Sequence, residues 1–440
     1  MVTAIRSVVG EYVREVGNAG RNPRLYLYGV FLIGLGQSVF SLLFNLYLRA
    51  LGVSDAGIGQ ILSKGSLGAA VAAIPVAFVF RGISTRAILV AAGALVAALY
   101  ALQVSVAAPE LLLLLAFFSG MVVTVYRLSI APVVMREVKP SARPFLFSAS
   151  FSVLFVSAIL GSALGGWLPV LFRLVTDSDL HALRWSLYVA SGFTLLSAIP
   201  FNAMSEPAPE TQAAELARAA AAGFPLERRL ARAWQLIRES AAIDWGLNAK
   251  LMLPAFLIGL GAGLIIPFLN LFFRDRFHLS EGAIGLLFGV MQGFMVAGNL
   301  FGPAVSARLG LVRGVVATQL ASVPFMVLLA LSGSLPVVAG AFFLRGALMN
   351  MNQPLTSHFA MEMVPERDHA ITNSLLSVAW FLSWTISADI GGALIERKGY
   401  TEPLLIAAAL YVAASVLYWL FFRNVEEGRL PSAEVELPEA

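Results

Sequence analysis

The chain of 440 residues contains no cysteine, only four lysines and only four histidines. Without cysteine it can form neither disulfide bonds nor thiolate metal sites. The sequence shows no Gly-x-x-x-x-Gly-Lys-Ser/Thr phosphate loop, no His/Asp/Glu metal cluster and no nucleophile–base constellation. We therefore expect a protein that is not an enzyme, does not use ATP, and binds no cofactor and no metal.

Charge is also scarce, because charged residues make up 13% of the chain, about half the fraction usual in a soluble domain. Hydrophobic residues make up 58%, in recurring apolar runs of about 20 residues, the length of a membrane-spanning helix. Residues 1–23 are too polar for a signal peptide, so the first run is expected to remain in the mature protein. The runs predict twelve spans, at 25–50, 56–80, 87–107, 111–136, 144–171, 184–203, 250–273, 282–306, 313–333, 336–362, 370–395 and 402–422.

The second half of the chain repeats the first at a shift of 225–227 residues. Asn45 falls on Asn270, Arg49 falls on Arg274, and Gly165-Gly166 falls on Gly391-Gly392. The register is kept over more than 130 residues. This repeat predicts an all-α membrane protein with 12 transmembrane helices in two pseudo-symmetric six-helix bundles. Two such halves are typical of a secondary transporter, whose substrate site lies near mid-membrane between them.

The repeat also predicts the domain organisation. An N-terminal bundle occupies 1–203, a linker occupies 204–249, and a C-terminal bundle with an acidic tail occupies 250–440. In the linker, apolar residues from Leu226 to Ile237 recur at helical spacing beside several arginines. That pattern fits a basic amphipathic helix on the inner leaflet or a plain cytosolic connector, and both remain open.

Lysine and arginine predict the orientation. With an inward N-terminus, 20 of these residues fall on one side of the membrane and 7 on the other, while three lie within spans. Because positive charge collects on the cytoplasmic side, both termini should be cytoplasmic, in a multi-pass protein of the cell (inner) membrane. The surplus arginine lies in short loops, so no nucleic-acid partner is expected.

Several segments resemble the major facilitator superfamily, in particular its bacterial 12-helix members. Residues 45–59 resemble the junction of that family's helices 1 and 2, and Asn270 to Gly285 resembles the junction of helices 7 and 8. The stretch from Arg345 to Pro354 and on to Gly391-Gly392 resembles helices 10 and 11. The resemblance covers about 24–422 and implies alternating access, with helices 1, 4, 7 and 10 around a central cavity.

Two segments depart from the family pattern. The cytoplasmic loop motif, at Arg81 and Arg86 and again at Arg308 and Arg313, lacks the family's aspartate. Residues 161–166 differ by one residue from the Gly-Pro-x-x-Gly-Gly of the antiporter motif, which leans toward efflux. A small-residue seam that lets two helices approach closely is the alternative, and the sequence favours it.

Polar residues share one face on three spans, and such a face must look at protein or water rather than lipid. These residues are the predicted substrate cavity, unless they only form interhelical hydrogen bonds. The set is Gln37, Ser41, Asn45, Thr124, Arg127, Asn350 and Gln353.

Charged residues inside the spans form a second predicted set, for gating and proton coupling: Lys64, Asp389 and Arg345. Each charge costs about 2.5–3.5 kcal/mol at a helix centre, so each is expected to have a partner or a task. We hypothesise a Lys64–Asp389 salt bridge that closes the outer side and opens when Asp389 is protonated. The alternative is a static Asp389–Arg345 pair.

The sequence thus predicts a monomeric secondary transporter in the lipid bilayer, most simply a proton-coupled exporter of an amphipathic or hydrophobic small molecule. The coupling ion is a proton or another ion. Two alternatives remain: an importer of an anionic solute held by Arg127, and a non-transporting membrane sensor or assembly factor with the same scaffold.

Overall fold

The computed structural model describes residues 20–82, 84–137, 143–205, 244–365 and 368–427. These ranges form twelve long helical units, which we name α1 to α12. In the first half they are Arg21–Ala50, Asp55–Gly82, Thr85–Ser105, Pro109–Glu137, Arg143–Phe172 and Asp179–Leu196, the last continued by Ala198–Asn202. In the second half they are Trp245–Ile265, continued by Ile266–Phe268 and Leu269–Phe277, then Glu281–Leu309, Leu311–Leu331, Leu335–Met363, His369–Lys398 and Thr401–Glu427.

Each of the twelve predicted spans corresponds to a helical unit, with boundaries that shift by a few residues. Among the described residues, ten of the helical units are long and apolar enough to cross a membrane. The other two, α2 and α10, have 28 and 29 residues and pack inside the same bundle. The predicted amphipathic segment of the linker lies outside the described residues.

Short polar side chains define where several helices begin. Ser84, Ser178 and Ser280 precede α3, α6 and α8, and each hydroxyl accepts a backbone N–H of the first turn. Asp244 caps α7 in the same way. Such caps satisfy donors that a helix start leaves unpaired, so the spans begin at fixed residues.

The helix α7 is broken about two-thirds of the way along its length. It passes through a 3-10 turn, Ile266–Phe268, before it resumes at Leu269. Pro267 lies in this turn and has no N–H to donate to an α-helical ladder. The break leaves the Pro267 carbonyl oxygen free to accept a hydrogen bond from outside the helix.

The helix packing repeats in the two halves. In the first half α1 packs on α5 and α6, α4 packs on α2 and α3, and α3 packs on α6. In the second half α7 packs on α11 and α12, α10 packs on α8 and α9, and α9 packs on α12. Across the halves α2 packs on α11 and α5 packs on α8, which are equivalent pairs under the repeat. The sequence repeat is therefore a repeat of tertiary structure.

The buried apolar residues show that the two sides of the bundle differ. We call the side where α1 begins and α12 ends the tail side, and the other the opposite side. Toward the opposite side one cluster contains residues of both halves, such as Phe44 and Tyr47 with Phe268 and Phe272. Toward the tail side the described clusters separate by half, one around Tyr26 and another around Phe359. Among the residues that the structure describes, the halves share a core on the opposite side only.

Candidate functional site

A cavity of about 560 Å³ lies in the bundle, and its described lining comes from the second half. It extends from Phe342, eight residues into α10, to Met361 near the tail end of that helix. Most of the lining is apolar or aromatic, including Phe288, Met291, Met295, Phe342, Met349, Met361, Trp380, Phe381, Trp384, Tyr411 and Tyr418. Thioether and aromatic side chains adapt to apolar ligands of varied shape, so this surface suits a hydrophobic molecule.

One charged side chain, Arg345, lies in the described lining. It is 4% exposed, and its Nη2 donates to the Tyr411 hydroxyl at 2.9 Å. Its guanidinium carbon lies 5.7 Å from the centroid of the Tyr411 ring, within the range of a cation–π contact. The Nε–H is buried without an acceptor, and no carboxylate lies within 4.0 Å among the described residues. The cavity therefore has a positive site at mid-helix depth.

Two amide side chains of the lining have hydrogen-bond partners within the protein. Gln319 accepts a hydrogen bond from Ser415 at 3.0 Å, and Asn352 accepts one from Thr356 at 3.1 Å. Arg345 and Trp384 each keep a buried N–H without an acceptor in the described part of the chain, and of these two side chains only Arg345 carries a charge.

The structure brings some of the predicted cavity residues together and separates others. Asn350 and Gln353 line the cavity. Gln37 is half-buried and Ser41 exposed on α1, and neither is among the described lining residues. Thr124 is buried and donates to the Gly120 carbonyl of its own helix at 2.9 Å. The side chain of Arg127 lies outside the described residues, so its predicted role stays a prediction.

Asn45 lies at the junction of the halves rather than in this cavity. Its Nδ2 donates to the Pro267 carbonyl at 2.6 Å, at the break in α7. Its repeat partner, Asn270, donates to the Leu42 carbonyl at 2.7 Å. Asn45 is therefore not among the described lining residues, and its predicted role in the cavity stays a prediction. The two amides tie α1 to α7 because each reaches a backbone carbonyl of the other half.

A buried carboxylate joins the halves on the opposite side. Glu281, 3% exposed at the start of α8, accepts two hydrogen bonds from Arg173 at 2.9 and 2.8 Å. It accepts a third from Arg274 at 2.7 Å. Hydrogen bonding to Glu281 raises the pKa of Arg173 above its ordinary value, and Asp179 adds to this. We call these four residues the Glu281 cluster, in which only the Arg173 bonds to Glu281 cross between the halves.

A second ionic group, the Arg49 cluster, lies on the same side and consists of Arg49, Asp55, Asp275 and Tyr400. Arg49 is paired with Asp55 in its own half and with Asp275 of the other half, at 3.1 Å in the second pair. The Tyr400 hydroxyl donates to the same carboxylate oxygen of Asp275 at 2.5 Å. Burial raises the pKa of the Tyr400 phenol, and the Asp275 carboxylate raises it further, so the hydroxyl stays a donor.

Glycines allow the helices to approach closely at both contacts between the halves. A Cβ on Gly59 of α2 would lie 2.5 Å from the Ala388 carbonyl oxygen and 3.1 Å from Cα of Gly392 on α11. A Cβ on Gly166 of α5 would lie 2.6 Å from the Glu281 carbonyl oxygen and 3.0 Å from Cα of Gly285 on α8. Of the two interpretations of residues 161–166, the close helix seam is therefore the one visible in the structure.

The hypothesised Lys64–Asp389 salt bridge is absent from the part of the chain that the structure describes, and so is the alternative Asp389–Arg345 pair. Lys64 and Asp389 are both exposed. The residues just before them make the contact: Ser63 donates to the Thr385 carbonyl at 2.6 Å, and the Ala388 carbonyl oxygen lies 2.5 Å from where a Cβ on Gly59 would be. Helix rotation explains the difference: one position along a helix turns a side chain by about 100°.

The loop-motif arginines are placed as the sequence suggests, at the tail ends of their helices. Arg86 donates to Asn202 at 2.8 Å, which ties α3 to the end of α6. Arg308 and Arg313 are exposed, and the side chain of Arg81 lies outside the described residues. Arg86 therefore contacts an amide side chain of its own half.

Sequence reasoning missed two groups of residues. Arg345 was assigned to gating, although Arg345, Met349 and Gln353 follow one another at steps of four and so share a face of α10. Arg173, Glu281, Asp275 and Tyr400 were not singled out, because residues at span ends are usually solvated. For Glu281 the repeat was an available signal, because this residue falls on Asp55 at a shift of 226.

Comparison with known proteins agrees with this architecture. The sequence model of the Major Facilitator Superfamily matches residues 26–259 and 251–439. A curated relative, the "Na(+), Li(+), K(+)/H(+) antiporter" of Planococcus maritimus, is 28% identical over 198 residues, or 44% of this chain. The match spans under half of that relative's length, 45%.

Solved structures resemble nearly the whole chain. A bacterial homologue of the human lysosomal transporter Spinster, inward-facing and occupied, has a TM-score of 0.73 and 12% identity, over 93% of this chain and 98% of that one. An inward-facing bacterial homologue of the iron transporter ferroportin has a TM-score of 0.66 and 16% identity, over 91% and 98%. The nucleoside transporter NupG has a TM-score of 0.66 and 12% identity, over 92% and 100%. At these identities the likeness shows the fold alone.

Proposed function

Because the chain belongs to the major facilitator superfamily and is a multi-pass membrane transporter, we propose that it exports an amphipathic or hydrophobic small molecule by proton-coupled alternating access. The cavity carries this proposal. Its described lining is dominated by methionine and aromatic side chains, and contains a single cation and no carboxylate. Such a surface gains most of its binding free energy from apolar area, at about 25 cal/mol per Å².

Orientation and conformational state support the proposed direction of transport. The 20-to-7 distribution of lysine and arginine supports a cytoplasmic tail side. The cavity reaches the tail side, while the opposite side carries the shared core and both ionic clusters. In this orientation the protein is ready to load a substrate from the cytoplasm, as an exporter must be.

Proton coupling is supported by the name of the curated relative, a cation/proton antiporter. Asp389 is our candidate for the proton site, since it is an exposed carboxylate beside the α2–α11 contact. Protonation there removes one charge next to a surface that must part when the opposite side opens. We include Lys64 of α2 in the same proposed gating and coupling group, although it forms no salt bridge with Asp389 in this state.

A second candidate function is exchange of monovalent cations for protons, which the name of the same relative favours. Hard cations prefer carboxylate and carbonyl oxygens as ligands. The described lining instead places a guanidinium in the cavity. This observation favours an organic substrate over a metal ion.

Proteoliposomes with an imposed pH gradient test the two candidates against each other. Sodium chloride, potassium chloride, decanesulfonate, decyltrimethylammonium and decanol are each added, and collapse of the gradient is compared with protein-free liposomes. We expect an amphiphile to collapse the gradient through the protein and Asp389→Asn to abolish the effect. Collapse by sodium or potassium alone would reject the organic substrate. No collapse by any probe would reject proton coupling.

A further inference from the structure

Arg345 differs from the arginines that form ion pairs in the described structure, because it is buried without a carboxylate partner. Arg49, Arg173 and Arg274 each bind at least one carboxylate. Arg345 is more deeply buried than any of them, and no carboxylate among the described residues lies within 4.0 Å. A buried guanidinium without a counter-charge is costly and, unlike a lysine or histidine, does not give up its proton. An anion that enters the cavity would remove that cost.

The geometry around Arg345 suits an anionic group. The Tyr411 hydroxyl takes one of its five N–H donors, and the Tyr411 ring supports the guanidinium carbon at 5.7 Å. The Nε–H is buried and has no acceptor in the described part of the chain. A fixed, planar guanidinium with spare donors is the protein group best matched to carboxylate, sulfonate or phosphate oxygens.

The rest of the cavity suits an apolar tail. Met349, Trp380 and Met361 line it between Arg345 and the tail side. Along α10, the 16 residues from Arg345 to Met361 correspond to about 24 Å of helix rise. The positive site thus lies at one end of a long, mostly apolar surface.

We propose that the cavity binds amphiphiles with one anionic head group, whose oxygens pair with Arg345 while the tail lies along the methionine and tryptophan surface. The inference rests on the proposed function, because it takes the same cavity as the substrate site. It also fits export on energetic grounds. An inside-negative potential of 100 mV favours outward movement of a monoanion by roughly 50-fold.

Binding of a charge series to the wild-type protein is the first test. The protein is placed in nanodiscs of zwitterionic lipid, and titrated with decanesulfonate, decanol and decyltrimethylammonium below micelle-forming concentrations. The three probes share one tail and keep their charge at every pH. Binding is followed by tryptophan fluorescence, because Trp380 and Trp384 line the cavity. We expect decanesulfonate to bind at least tenfold more tightly than either other probe, and methanesulfonate, which lacks the tail, to bind weakly.

Substitution of the arginine is the second test. Loss of a charge-assisted contact weakens binding by about 10- to 100-fold, so Arg345→Gln should bring decanesulfonate down to the affinity of decanol. Arg345→Lys should recover part of the difference. Arg184→Gln is the matched control, since Arg184 contacts the Tyr47 hydroxyl at 3.4 Å and its ring at 5.9 Å without lining the cavity. That variant should bind decanesulfonate like the wild type.

A lipid head group and a free amphiphile carry the same anionic chemistry, and we expect the free molecule. Adding acidic lipid to the nanodiscs should then leave the decanesulfonate affinity unchanged. A fall in affinity that disappears in Arg345→Gln would instead identify a lipid head group as the occupant, and would reject the free amphiphile.

Equal binding of the three probes by the wild type overturns the inference, whether or not any variant folds. An Arg345→Gln variant that binds decanesulfonate normally overturns it as well. Neither result depends on transport, so the pH-gradient assay judges the proposed function separately. Arginine-dependent binding without proton-driven transport would leave this inference standing and reject the coupling.

Discussion

Glu281 provides the sharpest test of how the opposite side is held closed. Its carboxylate accepts three hydrogen bonds, but the Arg274 bond lies within the second half and persists when the halves separate. The two bonds from Arg173 are broken on opening. Glu281→Gln therefore removes the charge that binds the halves here, while it keeps the size of the side chain.

The magnitude follows from these two bonds. A hydrogen bond to a charged group contributes about 1.5–3 kcal/mol net. The side chain of Arg173 is 31% exposed, so solvent screens part of this. We expect a loss of about 2–4 kcal/mol in the stability of the closed opposite side. Since 1.4 kcal/mol is tenfold, the equilibrium should shift by roughly 30- to 700-fold toward the open form.

Distance measurement between two spin labels can detect this shift. Ala107 and Gly333 are repeat-equivalent loop positions on the opposite side, one in each half, and both are exposed. A Cβ at Gly333 meets no atom within 4 Å, and the chain has no native cysteine that would take up label. Ala107→Cys with Gly333→Cys should show a short distance, and Glu281→Gln should add or enlarge a long-distance population.

A matched carboxylate serves as control. Glu402 pairs with Lys398 at 2.8 Å on the same side, but both residues belong to the second half. Glu402→Gln should therefore leave the distances unchanged. If Glu281→Gln gives the same distances as Glu402→Gln and the parent, the Arg173–Glu281 bonds do not hold the halves together.

Three further predictions concern packing, orientation and coupling. Gly59→Leu should push α2 away from Gly392, because the added side chain overpacks the contact at a cost of about 1–3 kcal/mol. The distance between the two spin labels should then lengthen. An unchanged distance would show that the helices need not touch there. Reporter fusions after Leu180 should read outside and those after Leu226 inside, and the reverse pattern would contradict the proposed orientation. Asp389→Asn should make transport independent of an imposed pH gradient while substrate binding persists, whereas retained pH-driven transport would place the proton site elsewhere.

The sequence alone determined the architecture, because the physics that decides it is local. A membrane interior leaves no water for backbone groups, so each long apolar run must be a helix, and the run lengths fix the spans. The 225–227 register between the halves then predicts equivalent packing, and the structure pairs Gly59 with Gly392 and Gly166 with Gly285 as equivalent contacts. The polar face of α10 also predicts that Asn350 and Gln353 face the same space.

The tertiary structure decided which side chains meet. Arg173 and Glu281 are 108 residues apart, and helical spacing gives the face of a residue on its own helix but not its neighbour on another. The expected Lys64–Asp389 pair is absent for this reason, since a rotation of one residue on each helix places Ser63 and Ala388 at the contact instead. The helix face of Asn45 predicted a cavity residue. In the structure the break in α7 leaves the Pro267 carbonyl free, and the Asn45 amide donates to it and so joins the two halves. Contacts between the halves also depend on which side of the bundle is closed. That depends on how all the helices pack together and cannot be derived from any one helix.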